Sequence, residues 1–123
     1  MAEIKIKGYM PRSEWVEYEL DTDLLDPAVL RVRLKPIDGF MVADELGING
    51  ELKRIGEGVV RLAMAAVVEW DLTKEGEAIE VTEENKALYL RPLLTAVVKN
   101  RMDMMLGVAL VMDAQNRERF LKN

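Results

Sequence analysis

The chain has 123 residues, a net charge of −5 and neither cysteine nor histidine. That length suits one domain with its own core, and the missing residue types exclude disulfides, Ser–His and Cys–His nucleophile pairs, and the usual nitrogen and sulfur ligands of zinc. The acidic balance lacks the basic surface that phosphate binding needs, so no nucleic-acid partner is expected.

Half the residues are apolar and 32% are charged, the composition of a soluble globular domain. Only carboxylates, Lys, Tyr and Thr remain as catalysts, so the expectation is a non-enzymatic protein without cofactor or metal. The opening MAEIKIKGY has no apolar signal-peptide core. No stretch reaches the ~18 uncharged apolar residues of a membrane span, so no membrane partner and a cytoplasmic location are expected.

Residues 2–9 contain EIKIK, whose alternation predicts a short strand, and Met10-Pro11-Arg12-Ser13 predicts a turn. In EWVEYEL, residues 14–20, Val16, Tyr18 and Leu20 point one way and Glu17 and Glu19 the other. The aspartates and Pro27 of DTDLLDP suit a turn. In VLRVRLK, residues 29–35, Leu30, Val32 and Leu34 alternate with Arg31, Arg33 and Lys35. An antiparallel pair with one buried face follows, with Glu17 and Glu19 near Arg31 and Arg33 on the outer face, where opposite charges add roughly 0.2–1 kcal/mol each.

Pro36 ends the second strand. Asp38 is placed to cap a short helix through Phe40, Met41 and Leu46 that stops at Gly47, with a turn at Ile48-Asn49-Gly50 and one more helical turn over residues 51–55. Gly56-Glu57-Gly58 then opens VVRLAMAAVVEW, residues 59–70. Ala63, Ala65 and Ala66 allow close approach there, predicting a buried helix. Residues 71–81 form a polar excursion with a turn at Lys74-Glu75-Gly76-Glu77.

Thr82 is a good N-cap, and Glu83 and Glu84 suit the positive end of a helix dipole. From there apolar residues recur at Leu90, Leu94, Val97, Val98, Met102, Met105, Val108, Ala109 and Met112. This 3.6-residue period predicts a short helix over 83–90, a break at Arg91 before Pro92, and a longer helix starting at Pro92. The final DAQNRERFLKN is read as a charged end that frays. Strands first and helices afterwards give an α+β class, with a strand-rich part at 1–36 and a mainly helical part at 37–123 of a single domain.

Three constellations resemble sites and have simpler readings. Asp21-Thr22-Asp23 with Asp26 offers oxygens to a hard cation, but without the spacing and glycine of a calcium loop it reads as a solvated turn. Gly56-Glu57-Gly58 lacks the lysine and Ser/Thr of a phosphate loop and reads as a helix start or hinge. Glu69 and Asp71 with Glu75, Glu77 and Glu80 read as a solvated acidic face.

The run MMLGVALVM, residues 104–112, is apolar on every side. Such a helix must be covered all round, either by a partner or as a central core helix. The first reading makes Met104, Met105, Leu106, Leu110 and Met112 the candidate partner-binding residues, since methionine-rich surfaces adapt to varied partners. Coverage of Met104, Leu106 and Leu110 within the monomer separates the two.

One stretch carries a resemblance to a known family. A helix runs into Trp70, followed by a loop with Gly76, a helix start at Val81-Thr82-Glu83-Glu84 and a proline-bearing Leu-rich segment at Pro92-Leu93-Leu94. The opening strand pair ends in Leu34-Lys35-Pro36. These features resemble the tail assembly chaperones of long-tailed, siphovirus-type bacteriophages and prophages. The resemblance implies a small, acidic, non-enzymatic protein of the host cytoplasm that coats the tape measure protein during tail morphogenesis. It further implies contact with tail tube subunits, self-association and absence from the finished virion. A longer form made by ribosomal frameshifting is also implied, and the final Lys122-Asn123 is compatible with an A-rich slippery site. The alternative is a structural tail or head–tail joining protein retained in the virion.

Overall fold

A computed structural model describes residues 15–38, 41–42 and 55–122. The strand expected at 2–9 and the turn after it lie outside these residues. So do most of the helix over 38–47, the turn at Ile48-Asn49-Gly50 and all but the end of the turn over 51–55.

The alternating segments pair as expected. Strand β1 (Val16–Asp21) runs antiparallel to β2 (Val29–Leu34), with Val16 opposite Val32 and Tyr18 opposite Leu30. Tyr18, Leu20, Leu30, Val32 and Leu34 are all buried on one face. On the other face Glu17 lies opposite Arg31, at 3.8 Å, whereas Arg33 pairs with Glu69 at 2.7 Å and not with Glu19. The Arg31 guanidinium also lies over the Trp15 ring, 5.8 Å from its centroid. All these groups are solvated, so each pair contributes less than about 1 kcal/mol.

Helix α1 (Ile55–Ala66) begins at the glycine pair and buries Leu62, Ala63 and Ala66. The helix predicted over 59–70 stops earlier, and Val67–Trp70 form strand β3 beside β2. Two features favour the switch: β-branched Val67 and Val68 suit extended backbone, and the open edge of β2 offers hydrogen bonds. The register shifts between Arg33 and Leu34, which face Glu69 and Val67. Val68 is thus the extra residue of a β-bulge, exposed while Val67 and Trp70 both point inward.

Strands β4 (Thr73–Lys74) and β5 (Glu77–Ala78) form a separate hairpin at the predicted turn, where Glu75 and Gly76 both have positive φ, 52° and 83°. Thr82 caps α2 (Glu83–Asn85) as expected, its hydroxyl accepting from the Asn85 amide at 3.0 Å. The helical path widens into a π turn over Lys86–Leu90, where the Arg91 amide donates to the Lys86 carbonyl, and tightens into a 3-10 turn over Arg91–Leu93. Pro92 accounts for this irregularity, because it has no N–H for the helical ladder.

The longer helix expected from Pro92 does not form as such. Val97–Val98 become β6, which pairs with β1, and Met104–Met105 become β7, which pairs with β6. Together with β3 they complete an antiparallel sheet in the order β3-β2-β1-β6-β7. Only then does α3 (Leu106–Lys122) start. Its first free amides are satisfied by that preceding loop: Leu106 donates to the Ala96 carbonyl and Gly107 to that of Leu94, each at 2.9 Å. The end predicted to fray therefore continues α3.

The α+β class holds, with N-terminal antiparallel strands and a C-terminal helix. The second part nevertheless returns three strands, β3, β6 and β7, to the same sheet. Helix α3 lies on the inner face of the sheet and α1 packs against α3. Gly107 makes this fit close, since a Cβ there would lie 3.3 Å from the Val59 side chain and 3.5 Å from the Leu94 carbonyl.

Candidate functional site: an apolar groove

The five residues expected to bind a partner are not gathered on one surface. Leu106 and Leu110 are 0% exposed and belong to the core. Met104 is half-buried against that core, and only Met105 and Met112 stay exposed. This corrects the partner-covered reading of Leu106 and Leu110. The hairpin at 97–105 draws the start of α3 onto the sheet and α1 covers its other flank, so the all-round apolar helix is a central one. The Met105 side chain belongs to the outer face, because Met105 lies opposite Val97 and Val97 opposite Asp21.

The other constellations resolve more simply. Among the described residues, no group of three or more acidic side chains converges on a metal position. Glu57 makes a solvated i,i+4 pair with Arg61 at 3.9 Å. Asp71 extends the β2–β3 ladder: its carboxylate accepts from the Arg31 amide, and its own amide donates to the Arg31 carbonyl, both at 3.1 Å. Glu69, Asp71, Glu75, Glu77 and Glu80 are exposed.

A different surface is concave and apolar. The β1–β2 connection, the β4–β5 hairpin and the helical stretch from Leu88 to Leu93 enclose a groove with a cavity volume of about 340 Å³. Buried Leu72 and Leu93 form its floor, and half-buried Leu25, Ile79 and Tyr89 form its walls. Leu24 and Leu88 stand at its rim, 65% and 62% exposed. Such exposure of large aliphatic side chains around a concavity marks binding surfaces more often than chance scatter.

The walls are held by specific bonds. The Trp70 indole N–H donates to the Ile79 carbonyl at 2.6 Å, and the Ile79 amide to the Leu72 carbonyl at 3.0 Å. Asn85 Nδ2 donates to the Glu80 carbonyl at 2.8 Å, tying the helical wall to the end of the hairpin segment. The shape is thus formed before any ligand arrives, which lowers the entropy cost of binding. Among the described residues, its only polar side chains are those of Thr73, Lys74 and Tyr89, and no carboxylate lines it. It suits a few aliphatic side chains of a partner better than a polar cofactor or an acid–base reaction.

The sequence held a weak signal for this groove. Leu24 and Leu25 interrupt a run of aspartates, where no alternating strand needs them, and Leu88 lies off the apolar stripe through Leu90 and Leu94. Nothing local indicated that the two would meet.

A second cluster is polar. The Tyr18 hydroxyl donates to Asp113 Oδ2 at 2.6 Å, and Arg101 holds both carboxylate oxygens at 2.6 and 2.7 Å. The guanidinium also lies 5.9 Å from the Tyr18 ring centroid. Burial, followed by the Asp113 charge and hydrogen bond, pushes the phenol well above its ordinary range. The bonds to Asp113 raise Arg101 in turn. A phenol held neutral and saturated with partners locks β1, the β6–β7 turn and α3 together, and offers no nucleophile or base. Lys86 is the one buried charged side chain among the described residues. Burial lowers its pKa, nearby Lys35 lowers it further, and Glu83 opposes the shift.

No known protein family, curated protein or solved structure matches the chain. Among the described residues, no helix is long and apolar enough to cross a membrane.

Proposed function

We propose that the chain is a non-enzymatic tail assembly chaperone of a long-tailed phage, acting in the host cytoplasm, and that its groove holds an apolar helical segment of the tape measure protein. The observation that carries the binding role is the preformed groove with Leu24 and Leu88 exposed at its rim. An amphipathic helix presents apolar side chains at i, i+3, i+4 and i+7, which is the shape such a groove accepts. The likeness of Trp70, Gly76, Val81-Thr82-Glu83-Glu84 and Pro92-Leu93-Leu94 to that family supports the choice of partner. Contact with tail tube subunits and self-association belong to the same reading.

Co-expression with a phage tape measure protein tests this. The wild-type chain is expected to co-purify with that protein, and Leu24→Asp with Leu88→Asp to lose it while keeping the native circular dichroism spectrum. Co-purification unaffected by the double substitution would remove the groove from the reading. Recovery of the chain in purified virions would favour the retained structural protein.

A further inference from the structure

We infer that the groove selects an amphipathic helix flanked by lysine and arginine, in preference to a neutral or acidic one. This rests on the groove reading above and adds the charge class of the occupant. The segments that form the walls are acidic outside their apolar lining. Asp23 and Asp26 bracket Leu24 and Leu25, Glu75 and Glu77 sit on the hairpin, and Glu84 lies one turn before Leu88. All are exposed. Two exposed cations, Lys74 and Arg91, and the buried Lys86 stand against them, and Lys74 is directly opposite Glu77 across the hairpin. A helix seated by its apolar face would bring its flanking positions to this acidic surround.

Exposed ion pairs contribute up to about fivefold in affinity each, so two or so favour a basic-flanked helix by roughly tenfold at about 0.1 M salt. The preference is expected mainly in the association rate. It should vanish near 1 M salt, where the Debye length falls to about 3 Å.

Three synthetic helices of about five turns, ~18 residues, provide the test. Two share one leucine stripe and carry either lysine or glutamate at the flanking positions. The third keeps the lysines and scrambles the stripe. Fluorescence anisotropy with the full chain is expected to rank the lysine helix about tenfold above the glutamate helix at low salt. Leu88→Asn should abolish binding of both striped helices, and Asp23→Asn with Glu84→Gln should narrow the gap between them. Equal affinities, both lost in Leu88→Asn, would overturn the charge preference and leave the groove reading standing. No binding, or binding indifferent to Leu88→Asn, would overturn both. Equal binding of the scrambled helix would reduce the effect to surface charge and overturn the inference. Sedimentation showing a dimer that Leu88→Asn dissociates would make a second copy the occupant, with the same consequence.

Discussion

Tyr18 has its ring in the core and its hydroxyl on a carboxylate that a guanidinium also grips. A hydrogen bond to a charged partner contributes about 1.5–3 kcal/mol. Tyr18→Phe should therefore lower the unfolding free energy by about that amount in urea titrations. Asp113→Ala should cost more, since it leaves both Tyr18 and Arg101 without their partner. The pH dependence carries a sign. The phenol is raised in the folded state, so its contribution is intact below the unfolded value of 10.0 and is lost as pH rises above it. Lys86 acts oppositely. Its pKa is lowered by burial, so stability climbs as pH rises from that depressed value towards 10.5. Urea midpoints followed into the alkaline range should lose their fall above pH 10 in Tyr18→Phe, and the preceding rise in Lys86→Met.

Two turns do similar work with different residues. At the β4–β5 turn, left-handed backbone falls on Glu75 and Gly76, and glycine takes such angles freely. Between β6 and β7 it falls on Met102 and Asp103, with φ of 60° and 58°. Met102 is also 89% exposed, so nothing packs to offset the backbone cost. Met102→Asn with Asp103→Gly should raise the thermal midpoint, corresponding to about 1 kcal/mol. The α1–α3 contact responds in the other direction. Gly107→Val forces branched atoms against Val59 and the Leu94 carbonyl, and should cost about 1–3 kcal/mol in the same assay.

Taken whole, the molecule separates leucines that hold the fold from leucines left over. Leu110→Ala should cost about 2–5 kcal/mol, as cavity-forming changes in cores do. Leu110→Asp should abolish cooperative unfolding, because it buries a charge beneath the sheet. At Leu24 and Leu88 the same change to aspartate should move stability by no more than about 0.5 kcal/mol, since both side chains already meet water. Denaturation curves of the three aspartate variants distinguish core from rim without any partner.

Residues 16–34 declared their pairing because alternation at period two names the buried face, and of the charges on the other face Glu17 and Arg31 meet as expected while Arg33 turns to Glu69. Thr82 declared its cap, Lys74-Glu75-Gly76-Glu77 its turn and Pro92 its interruption for the same reason: each depends on bonds within a few residues. By contrast, Val97–Val98 and Met104–Met105 are strands too short to show a period, and the helical spacing of 90–112 was equally well met by a loop, a hairpin and a later helix. Their conformation follows from the free edge of β1, some eighty positions earlier, whose unpaired backbone needs a neighbour. The groove depends on tertiary structure still more, because Leu24 and Leu25 of the β1–β2 connection meet lining residues that begin only at Leu72. Local chemistry therefore determined the turns, caps and first strand pair. Competition for backbone partners and core volume, which only the folded chain expresses, decided that Leu106 and Leu110 lie inside and Leu24 and Leu88 outside.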